Sequence, residues 1–345
     1  MESKRTKNNT SNVLVTGGTG FIGSHLVEKL LEQGRYVKVL ALKDPIETIE
    51  KENEELIKAK GAEIVYGNIC DVKSLEKAIK NIDIVFHLAA ISRPMAVTDE
   101  EYYNVNVKGT ENILEVSRKA NVKKFIHVST VSVLGVSPDG HPLCEEEFQY
   151  DDLKYGQTKR EGERMALLYH YKYKVPLVVI RPCLVYGPRC MVRLVMFKFV
   201  KMGIFPLFSN GNAKMEFVYV DNVIQALLLA EKNESVIGKT FNITDGQSYK
   251  IITVLKTIAD ELQVQQPKFN LNPKLGYYLG IASEFLSKLI GIYPPFSRTA
   301  SHWMSNDVNV YDCSYAKNVL GYNPKINLHE GIKKTVLWFK SRGDL

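Results

Sequence analysis

Short apolar runs alternate with amphipathic segments along the first half of the chain. Residues 23–33 show the amphipathic pattern clearly, because apolar side chains recur at helical spacing before Gly34. Strands that are buried on both faces have nearly continuous apolar sequences, so this alternation predicts a parallel sheet covered on both sides by helices. The predicted strands cover residues 12–16, 37–42, 63–66, 83–88, 125–129 and 177–180.

The alternation becomes irregular after Pro182, where helical segments are separated by loops. The predicted helices of this second half cover residues 221–231, 251–262, 275–290 and 329–340. In the first half, residues 46–60 are rich in charge and predict a solvated helix. The chain has 345 residues, enough for one large domain with an appended lobe or for two domains.

Composition and charge exclude several classes of protein. The net charge is +7, but the lysines are spread along the chain, which argues against a nucleic-acid partner. Five cysteines without a C-x-x-C motif argue against a disulfide framework or a zinc site and fit a reducing cytosol. Residues 1–12 are polar and lack the apolar core of a signal peptide, and no uncharged apolar run reaches the ~20 residues that span a bilayer. We therefore expect a cytoplasmic protein.

A glycine-rich turn joins the first predicted strand to the first predicted helix. Its sequence, VTGGTGFIG, covers residues 15–23 and places Gly17, Gly20 and Gly23 at G-x-x-G-x-x-G spacing. Such glycines allow a tight turn, close approach of the backbone to a pyrophosphate, and close packing of helix on sheet, while the helix N-terminus faces the phosphates. Because this turn opens an alternating strand–helix pattern, it predicts a dinucleotide site.

The end of the second strand bears on which dinucleotide binds. An acidic residue there favours the ribose 2′-hydroxyl of NAD, whereas a basic residue favours the 2′-phosphate of NADP. Ala41 occupies the expected acidic position, and Lys43 and Asp44 follow it. Lys43 could meet a phosphate and Asp44 a hydroxyl, or both could be solvated turn residues. These residues do not settle NAD against NADP, and NAD is the cofactor that we expect.

Tyr155 and Lys159 lie four residues apart, which places them on one face of a helix. An ammonium group near a phenol favours the phenolate, so we expect Lys159 to lower the pKa of Tyr155 and make it a usable base. An alcohol side chain, Thr130, lies upstream of the pair. Together with the glycine turn, these residues indicate hydride chemistry on a carbinol or carbonyl.

These motifs give the chain a resemblance to the extended short-chain dehydrogenase/reductase superfamily over nearly its whole length. Its closest likeness is to the 3β-hydroxysteroid-dehydrogenase-like branch of the NAD-dependent epimerase/dehydratases. The motifs follow the order expected of that superfamily: TGGTGFIG at 16–23, GNICD at 67–71, HLAA at 87–90, NVKGT at 106–110, VSTVSVLG at 128–135, YGQTK at 155–159, RPCLVYGP at 181–188 and FVYVDNV at 217–223.

The resemblance implies an α/β fold, with a Rossmann-like doubly wound parallel sheet and a smaller, mostly helical C-terminal substrate lobe. Residues 1–182 would form the NAD(P)-binding domain and residues 183–345 the substrate lobe, while residues 219–245 return to the first domain. It also implies a homodimer joined by helices near residues 99–119 and 152–173.

The resemblance further implies the roles of individual residues. Thr130 precedes Tyr155 by 25 residues, the spacing found in many members, which selects Thr130 over Ser129 and Ser132. Thr130 would position the substrate oxygen, Tyr155 would transfer the proton, Lys159 would also bind the nicotinamide ribose, and Asn106 would support the site. Asn68 and Ile69 would border the adenine, and Asn68 stands where the family usually has Asp. Ala89 and Ala90 would pass beneath the cofactor, and Pro182 to Val185 would flank the nicotinamide. No metal is implied. The implied cofactor contacts are Gly17, Thr19, Gly20, Phe21, Ile22, Lys43, Asn68, Ile69, Leu88, Ala89, Ala90, Tyr155, Lys159, Pro182 and Val185.

The substrate class depends on other residues. Nucleotide-sugar enzymes of the superfamily generally carry an arginine just before the FVYVDNV-like strand, where Met215 stands here beside Lys214. Residues 275–295 are strongly apolar and could form a core helix, a lid or an interfacial membrane helix. We therefore expect a small apolar substrate, sterol-like or isoprenoid, with peripheral membrane contact through 275–295. The alternative is a nucleotide-sugar 4-epimerase with bound NAD.

Overall fold

Seven parallel strands form the centre of the protein, as described by a computed structural model for residues 11–45, 47–92, 97–149, 154–290, 304–305 and 309–345. Their order across the sheet is β3-β2-β1-β4-β5-β6-β9. The strands are β1 (Val13–Thr16), β2 (Val37–Ala41), β3 (Glu63–Tyr66), β4 (Ile84–His87), β5 (Lys124–Val128), β6 (Leu177–Pro182) and β9 (Thr240–Ile243).

Helices cover both faces of this sheet. Apolar side chains from the strands and helices fill two clusters, one on each face. The helices are α1 (Phe21–Glu32), α2 (Thr48–Ala59), α3 (Val72–Ala78), α4 (Asp99–Tyr103), α5 (Thr110–Lys119), α6 (Lys154–Tyr173) and α8 (Val220–Lys232). This arrangement confirms the predicted doubly wound α/β fold.

A smaller lobe is built around a three-stranded sheet ordered β10-β8-β7, in which β8 runs parallel to β7 and antiparallel to β10. Its own apolar cluster packs against helices on this sheet. The elements are β7 (Leu184–Tyr186), β8 (Lys214–Tyr219), β10 (Ser248–Lys250), α7 (Met191–Lys201), α9 (Ile251–Leu262), α10 (Pro273–Ile290) and α11 (Leu328–Ser341).

The chain passes from the large sheet to the lobe and back. β6 ends at Pro182, the lobe strands β7 and β8 follow, and β9 then pairs in parallel with β6. The precise division into domains stays a prediction.

The switch in strand order falls between β1 and β4, which pair with each other while their connections run to opposite sides. Ligands of doubly wound sheets bind in the crevice beyond the carboxyl ends of the strands at such a point. Here the glycine turn follows β1 and the HLAA motif follows β4.

Helix α2 differs from its prediction in one respect. Its charged sequence predicts a solvated helix, but Ile49, Asn53 and Ile57 are buried at successive four-residue intervals. A capping box between Glu47 and Glu50 starts the helix. The inward face therefore holds α2 against the body of the protein while the charges face solvent.

None of the helices within the described residues is long and apolar enough to cross a membrane. The five cysteines all lie in described residues and are free thiols.

Candidate active site

The glycine turn is shaped by close backbone contacts. Gly17 has a φ of +70°, and a Cβ there would lie 2.8 Å from the backbone nitrogen of Ala89. A Cβ on Gly23 would lie 2.1 Å from the carbonyl oxygen of Gly17. Both positions therefore exclude a side chain. A Cβ on Gly20 would meet only the Gly17 carbonyl oxygen, at 3.3 Å, so the remaining space beside Gly20 is free of described protein atoms.

Helix α1 begins directly after this turn and suits an anion. Gly20 is its N-cap and supplies no side-chain hydrogen bond, and the first turn, including Phe21 and Ile22, holds no acidic residue. The first N–H groups of a helix otherwise need an acceptor, and they favour negative charge. The turn and the helix start thus fit the pyrophosphate of a dinucleotide such as NAD.

Asn53 supports the turn from α2 and was missed by the sequence analysis. Its buried Nδ2 donates a hydrogen bond of 2.8 Å to the carbonyl oxygen of Thr19. The four-residue spacing of Ile49, Asn53 and Ile57 was the available signal, because it marks an inward face on an otherwise charged helix.

The predicted adenine and ribose contacts lie at the ends of β2 and β3. Asn68 is exposed, and its Oδ1 accepts a hydrogen bond of 2.9 Å from the Cys70 nitrogen. Ile69 is buried behind it. Lys43 and Asp44 are both exposed in the turn after β2. The side chains of both residues are therefore accessible to a ribose at the end of β2.

Thr130, Tyr155 and Lys159 come together at the end of β5, as their spacing predicts. Thr130 follows β5, is nearly buried, and caps a short 3-10 helix through a 3.2 Å hydrogen bond from the Ser132 nitrogen. Tyr155 and Lys159 lie one turn apart near the start of α6. The Lys159 ammonium is buried and donates a hydrogen bond of 2.9 Å to the carbonyl oxygen of Val128.

The electrostatics of the pair differ from the expectation. Burial raises the pKa of Tyr155 to about 12, although a hydrogen bond with Thr130 acts to lower it. Burial also lowers the pKa of Lys159 to about 8, while the Glu163 carboxylate raises it. Because Lys159 is directed to the Val128 carbonyl, it does not offset the burial of Tyr155, and the expected lowering of that phenol pKa is absent in this conformation.

Asn106 lies in a π-helical turn, Asn104–Gly109, between α4 and α5. Its side chain accepts a 2.8 Å hydrogen bond from the Ile91 nitrogen and donates to the Ile91 carbonyl at 3.0 Å and to the Thr158 hydroxyl at 3.1 Å. A Cβ on Gly162 would lie 2.3 Å from the Asn106 carbonyl oxygen, so α6 packs closely on this turn. Asn106 therefore positions α6 and the segment after β4 through its contacts with Thr158 and Ile91.

The segments expected beneath the cofactor and beside the nicotinamide lie at neighbouring strand ends. Leu88, Ala89 and Ala90 follow β4 and are partly buried, and the Leu88 nitrogen donates a 3.1 Å hydrogen bond to the Thr16 carbonyl. Pro182 ends β6, and the partly buried Val185 lies in β7. These two segments flank the end of β5, from which Thr130 extends.

A buried ion pair lies directly behind Lys159 and was also missed. Arg181, in β6, donates hydrogen bonds of 2.9 and 2.5 Å to the two carboxylate oxygens of Glu163, which lies one turn after Lys159. The remaining Arg181 nitrogen donates to the Glu145 carbonyl at 2.7 Å. Both side chains are almost fully buried. Their separation of 18 residues gives no periodic signal that sequence reasoning could use.

In the lobe, Met215 of β8 is buried in the apolar cluster, while the neighbouring Lys214 is exposed. Alternation along the strand therefore turns Lys214 away from the face that Met215 occupies. No group of three or more metal-binding side chains lies close together within the described ranges.

Comparison with known proteins identifies the family. Residues 13–244 match the profile of the NAD dependent epimerase/dehydratase family. The chain is 30% identical to the mouse (Mus musculus) sterol-4-alpha-carboxylate 3-dehydrogenase, decarboxylating, covering 94% of this chain and 90% of that protein.

Solved structures with the same fold include nucleotide-sugar enzymes. The UDP-glucose 4-epimerase of Thermotoga maritima, solved with UDP-glucose, has a TM-score of 0.77 and 27% identity, covering 96% of this chain and 99% of that one. The UDP-glucuronic acid 4-epimerase of Bacillus cereus, solved with NAD, has a TM-score of 0.76 and 25% identity over the same shares. These matches confirm the resemblance, and the chain belongs to the NAD-dependent epimerase/dehydratase family of extended short-chain dehydrogenases/reductases.

Proposed function

We propose that this protein is an NAD-dependent oxidoreductase that transfers hydride to or from a hydrophobic secondary alcohol or ketone, sterol-like or isoprenoid. The convergence of Thr130, Tyr155 and Lys159 at the carboxyl end of β5, beside the glycine turn, carries the proposal of hydride chemistry. The identity of 30% with a sterol 3-dehydrogenase supports the substrate class.

The roles of the three residues follow from their chemistry. NAD, when bound, supplies the hydride acceptor, and Gly17, Gly20 and the start of α1 would hold its pyrophosphate. The Thr130 hydroxyl holds the substrate oxygen next to the phenol of Tyr155. Tyr155 takes the hydroxyl proton when the alcohol is oxidised and returns a proton when the ketone is reduced. Lys159 supplies positive charge behind the site and hydrogen bonds for the ribose.

The burial of Met215 supports an apolar substrate over a nucleotide sugar. A diphosphate is best held by an arginine, whose planar guanidinium makes two parallel hydrogen bonds. A buried Met215 offers no charge at that position, and the exposed Lys214 is a point charge on the other face of the strand. The alternative function, nucleotide-sugar 4-epimerisation, is favoured by the likeness to the two epimerase structures.

A substrate panel separates the two functions. We expect NAD-linked oxidation of 3β-hydroxysterols or isoprenoid alcohols, with kcat/KM at least ~100-fold above any rate with UDP-glucose, UDP-glucuronic acid or dTDP-glucose, because buried diphosphate charges would lack partners. NADH absorbance reports oxidation, and chromatography of the sugar products reports epimerisation. Tyr155→Phe serves as the control for contaminating activities. Epimerisation of a UDP-sugar without sterol turnover would reverse the assignment.

Helix α10 buries small residues and exposes large apolar ones, the reverse of the usual arrangement in a surface helix. Its buried face holds the small residues Gly276, Gly280 and Ser287, whereas its apolar residues are exposed. The exposed apolar residues are Leu275, Tyr277, Tyr278, Leu279, Ile281, Phe285, Leu286 and Leu289. Residues 291–295 and the side chains of Lys288 and Ile290, included in the predicted apolar segment, lie outside the described part of the chain.

We propose that this exposed face of α10 rests on an anionic lipid surface from which the substrate is drawn. A continuous apolar helix face in a soluble fold indicates an interaction site. Lys268 and Lys274 are exposed just before and at the start of the helix, and the net charge of +7 complements anionic headgroups.

Vesicle flotation tests this surface. We expect the protein to float with anionic phosphatidylserine-containing vesicles, and Phe285→Ser combined with Leu289→Ser to weaken binding about tenfold or more, because each loses apolar burial in the interface. Leu337→Ser, at a similarly exposed leucine of α11, is the matched control and should float like wild type. Equal flotation of all three proteins, or none with wild type, would contradict the proposal.

The homodimer implied by the resemblance stays a proposal that a light-scattering mass checks.

A further inference from the structure

Two histidines lie side by side beneath the proposed active site. His87 of β4 and His127 of β5 are register partners in the large sheet, and their ring centroids are 5.4 Å apart. Both side chains are fully buried. Their hydrogen bonding is opposite, because both ring nitrogens of His87 have hydroxyl partners whereas neither nitrogen of His127 has a partner among the described residues.

The hydrogen bonds on one side of His87 fix which nitrogen carries a proton. The Thr110 hydroxyl donates to the backbone carbonyl of Asn106 at 2.8 Å, and a carbonyl can only accept. A hydroxyl has one hydrogen, so Thr110 must accept from the Nε2 of His87, which lies 3.0 Å away. Nε2 therefore carries a proton.

The contacts of Nδ1 fix the direction of the hydrogen bond on the other side of the His87 ring. The backbone nitrogen of Ala89 donates to the Thr16 hydroxyl at 3.3 Å, and that hydroxyl lies 2.8 Å from Nδ1 of His87. Burial, together with the charge of Lys159, lowers the pKa of His87 to about 3, so the ring is neutral at physiological pH. Nδ1 is then an acceptor, and Thr16 donates its hydrogen to it.

We propose that His87 is a positioning residue. As the neutral Nε2–H tautomer, it connects the segment after β4, which lies against the glycine turn, to the π-helical turn that positions α6. The connection is one directional chain of hydrogen bonds. The chain runs from the Ala89 N–H through Thr16, His87 and Thr110 to the Asn106 carbonyl. This inference rests on the proposed function for its catalytic consequence, but the tautomer and the chain are properties of the protein alone.

Each end of the chain lies against a part of the site. The backbone of Ala89 packs against Gly17, because a Cβ on Gly17 would come within 2.8 Å of the Ala89 nitrogen. The position of the Ala89 backbone therefore limits the space beside the glycine turn. Asn106 at the other end holds Thr158, which lies on α6 between Tyr155 and Lys159. Loss of His87 should therefore disturb cofactor affinity and the placement of the catalytic pair together.

Nitrogen-15 NMR of histidine-labelled protein reads the tautomer directly, without cofactor or substrate. We expect one histidine to show a protonated Nε2 and an unprotonated Nδ1 at neutral pH. Its signals are assigned to His87 by their absence from the spectrum of His87→Phe, or by a change in the Nε2–H signal in Thr110→Val. A His87 that is protonated on Nδ1, or on both nitrogens, would overturn the proposal.

His127 provides a matched control for the functional consequence. We expect His87→Phe to raise the Kd for NAD at least tenfold and to lower kcat, whereas His127→Phe, which removes an equally buried ring without hydrogen bonds, keeps both within about twofold. Equal effects of the two substitutions would reduce His87 to a packing role and refute the proposal.

Thr110 keeps the proposal testable if His87→Phe does not fold. Thr110→Val breaks the chain at Nε2 with little change in shape, and Thr110→Ser restores the hydroxyl. We expect weakened NAD binding and a lower kcat in the first variant and near-wild-type values in the second. Near-wild-type NAD binding and kcat in both variants would contradict the proposed hydrogen-bond chain. A protein that binds no NAD would refute the proposed function while leaving the NMR result interpretable.

Discussion

Replacement of Tyr155 by phenylalanine should lower kcat about 10²- to 10⁴-fold and leave the Kd for NAD nearly unchanged. The substitution removes the proton-transferring hydroxyl and keeps the ring that packs at the start of α6. Stopped-flow or steady-state absorbance of NADH measures kcat, and fluorescence titration measures cofactor binding.

Tyr169 is a suitable control because it is a buried tyrosine on the same helix, and burial likewise raises its pKa to about 12. Tyr169→Phe should keep kcat close to the wild-type value, so a comparable loss would point to a general disturbance of α6. Unchanged turnover of Tyr155→Phe would refute the catalytic assignment.

The raised pKa of Tyr155 also bears on reaction direction. With a pKa of about 12, the phenol is protonated at neutral pH, which is the form that donates a proton to a ketone. Oxidation of an alcohol requires the phenolate, which additional positive charge near the phenol would stabilise.

Replacement of Arg181 by methionine should cost about 3–5 kcal/mol of unfolding free energy, because it leaves the Glu163 carboxylate buried without its partner. Chemical denaturation followed by circular dichroism measures the loss. Since Glu163 also raises the pKa of Lys159, the ion pair connects the stability of α6 to the charge state of the site.

A second substitution distinguishes the ion pair from simple packing. Arg181→Met combined with Glu163→Leu removes both charges and should recover much of the loss, because apolar replacements of a buried pair are often neutral. Lys29→Met, which breaks an exposed pair with Glu32 on α1, should cost less than about 1 kcal/mol. A similar cost for Arg181→Met and Lys29→Met would contradict the role of the buried pair.

The sequence predicts local features of this fold well. The strands of the first half lie within two residues of their predicted limits, because parallel strands buried on both faces leave continuous apolar runs. The glycine turn is equally recognisable in the sequence. Position 17 lies against Ala89 and position 23 lies against the Gly17 carbonyl oxygen, so neither position has room for a side chain. Strands β7 and β10 have three residues each, too few to show a period.

What the sequence does not predict depends on partners that are distant along the chain. The pairing of Arg181 with Glu163 and the hydroxyls around His87 arise only once the strands are aligned. The expected lowering of the Tyr155 pKa by Lys159 is absent in this conformation for the same reason. Spacing places two residues on one helix face but does not show that the ammonium is taken by the Val128 carbonyl.

The return of β9 to the large sheet has a consequence for biosynthesis. β6 emerges from the ribosome about 60 residues before the strand that covers its outer edge. At translation rates of roughly 5–20 residues per second, that edge stays open for about 3–12 s. An open strand edge is a template for pairing with other chains. The nascent protein is therefore most prone to aggregation while residues 183–239 are being synthesised, and a fragment ending at Pro182 would keep that exposure permanently.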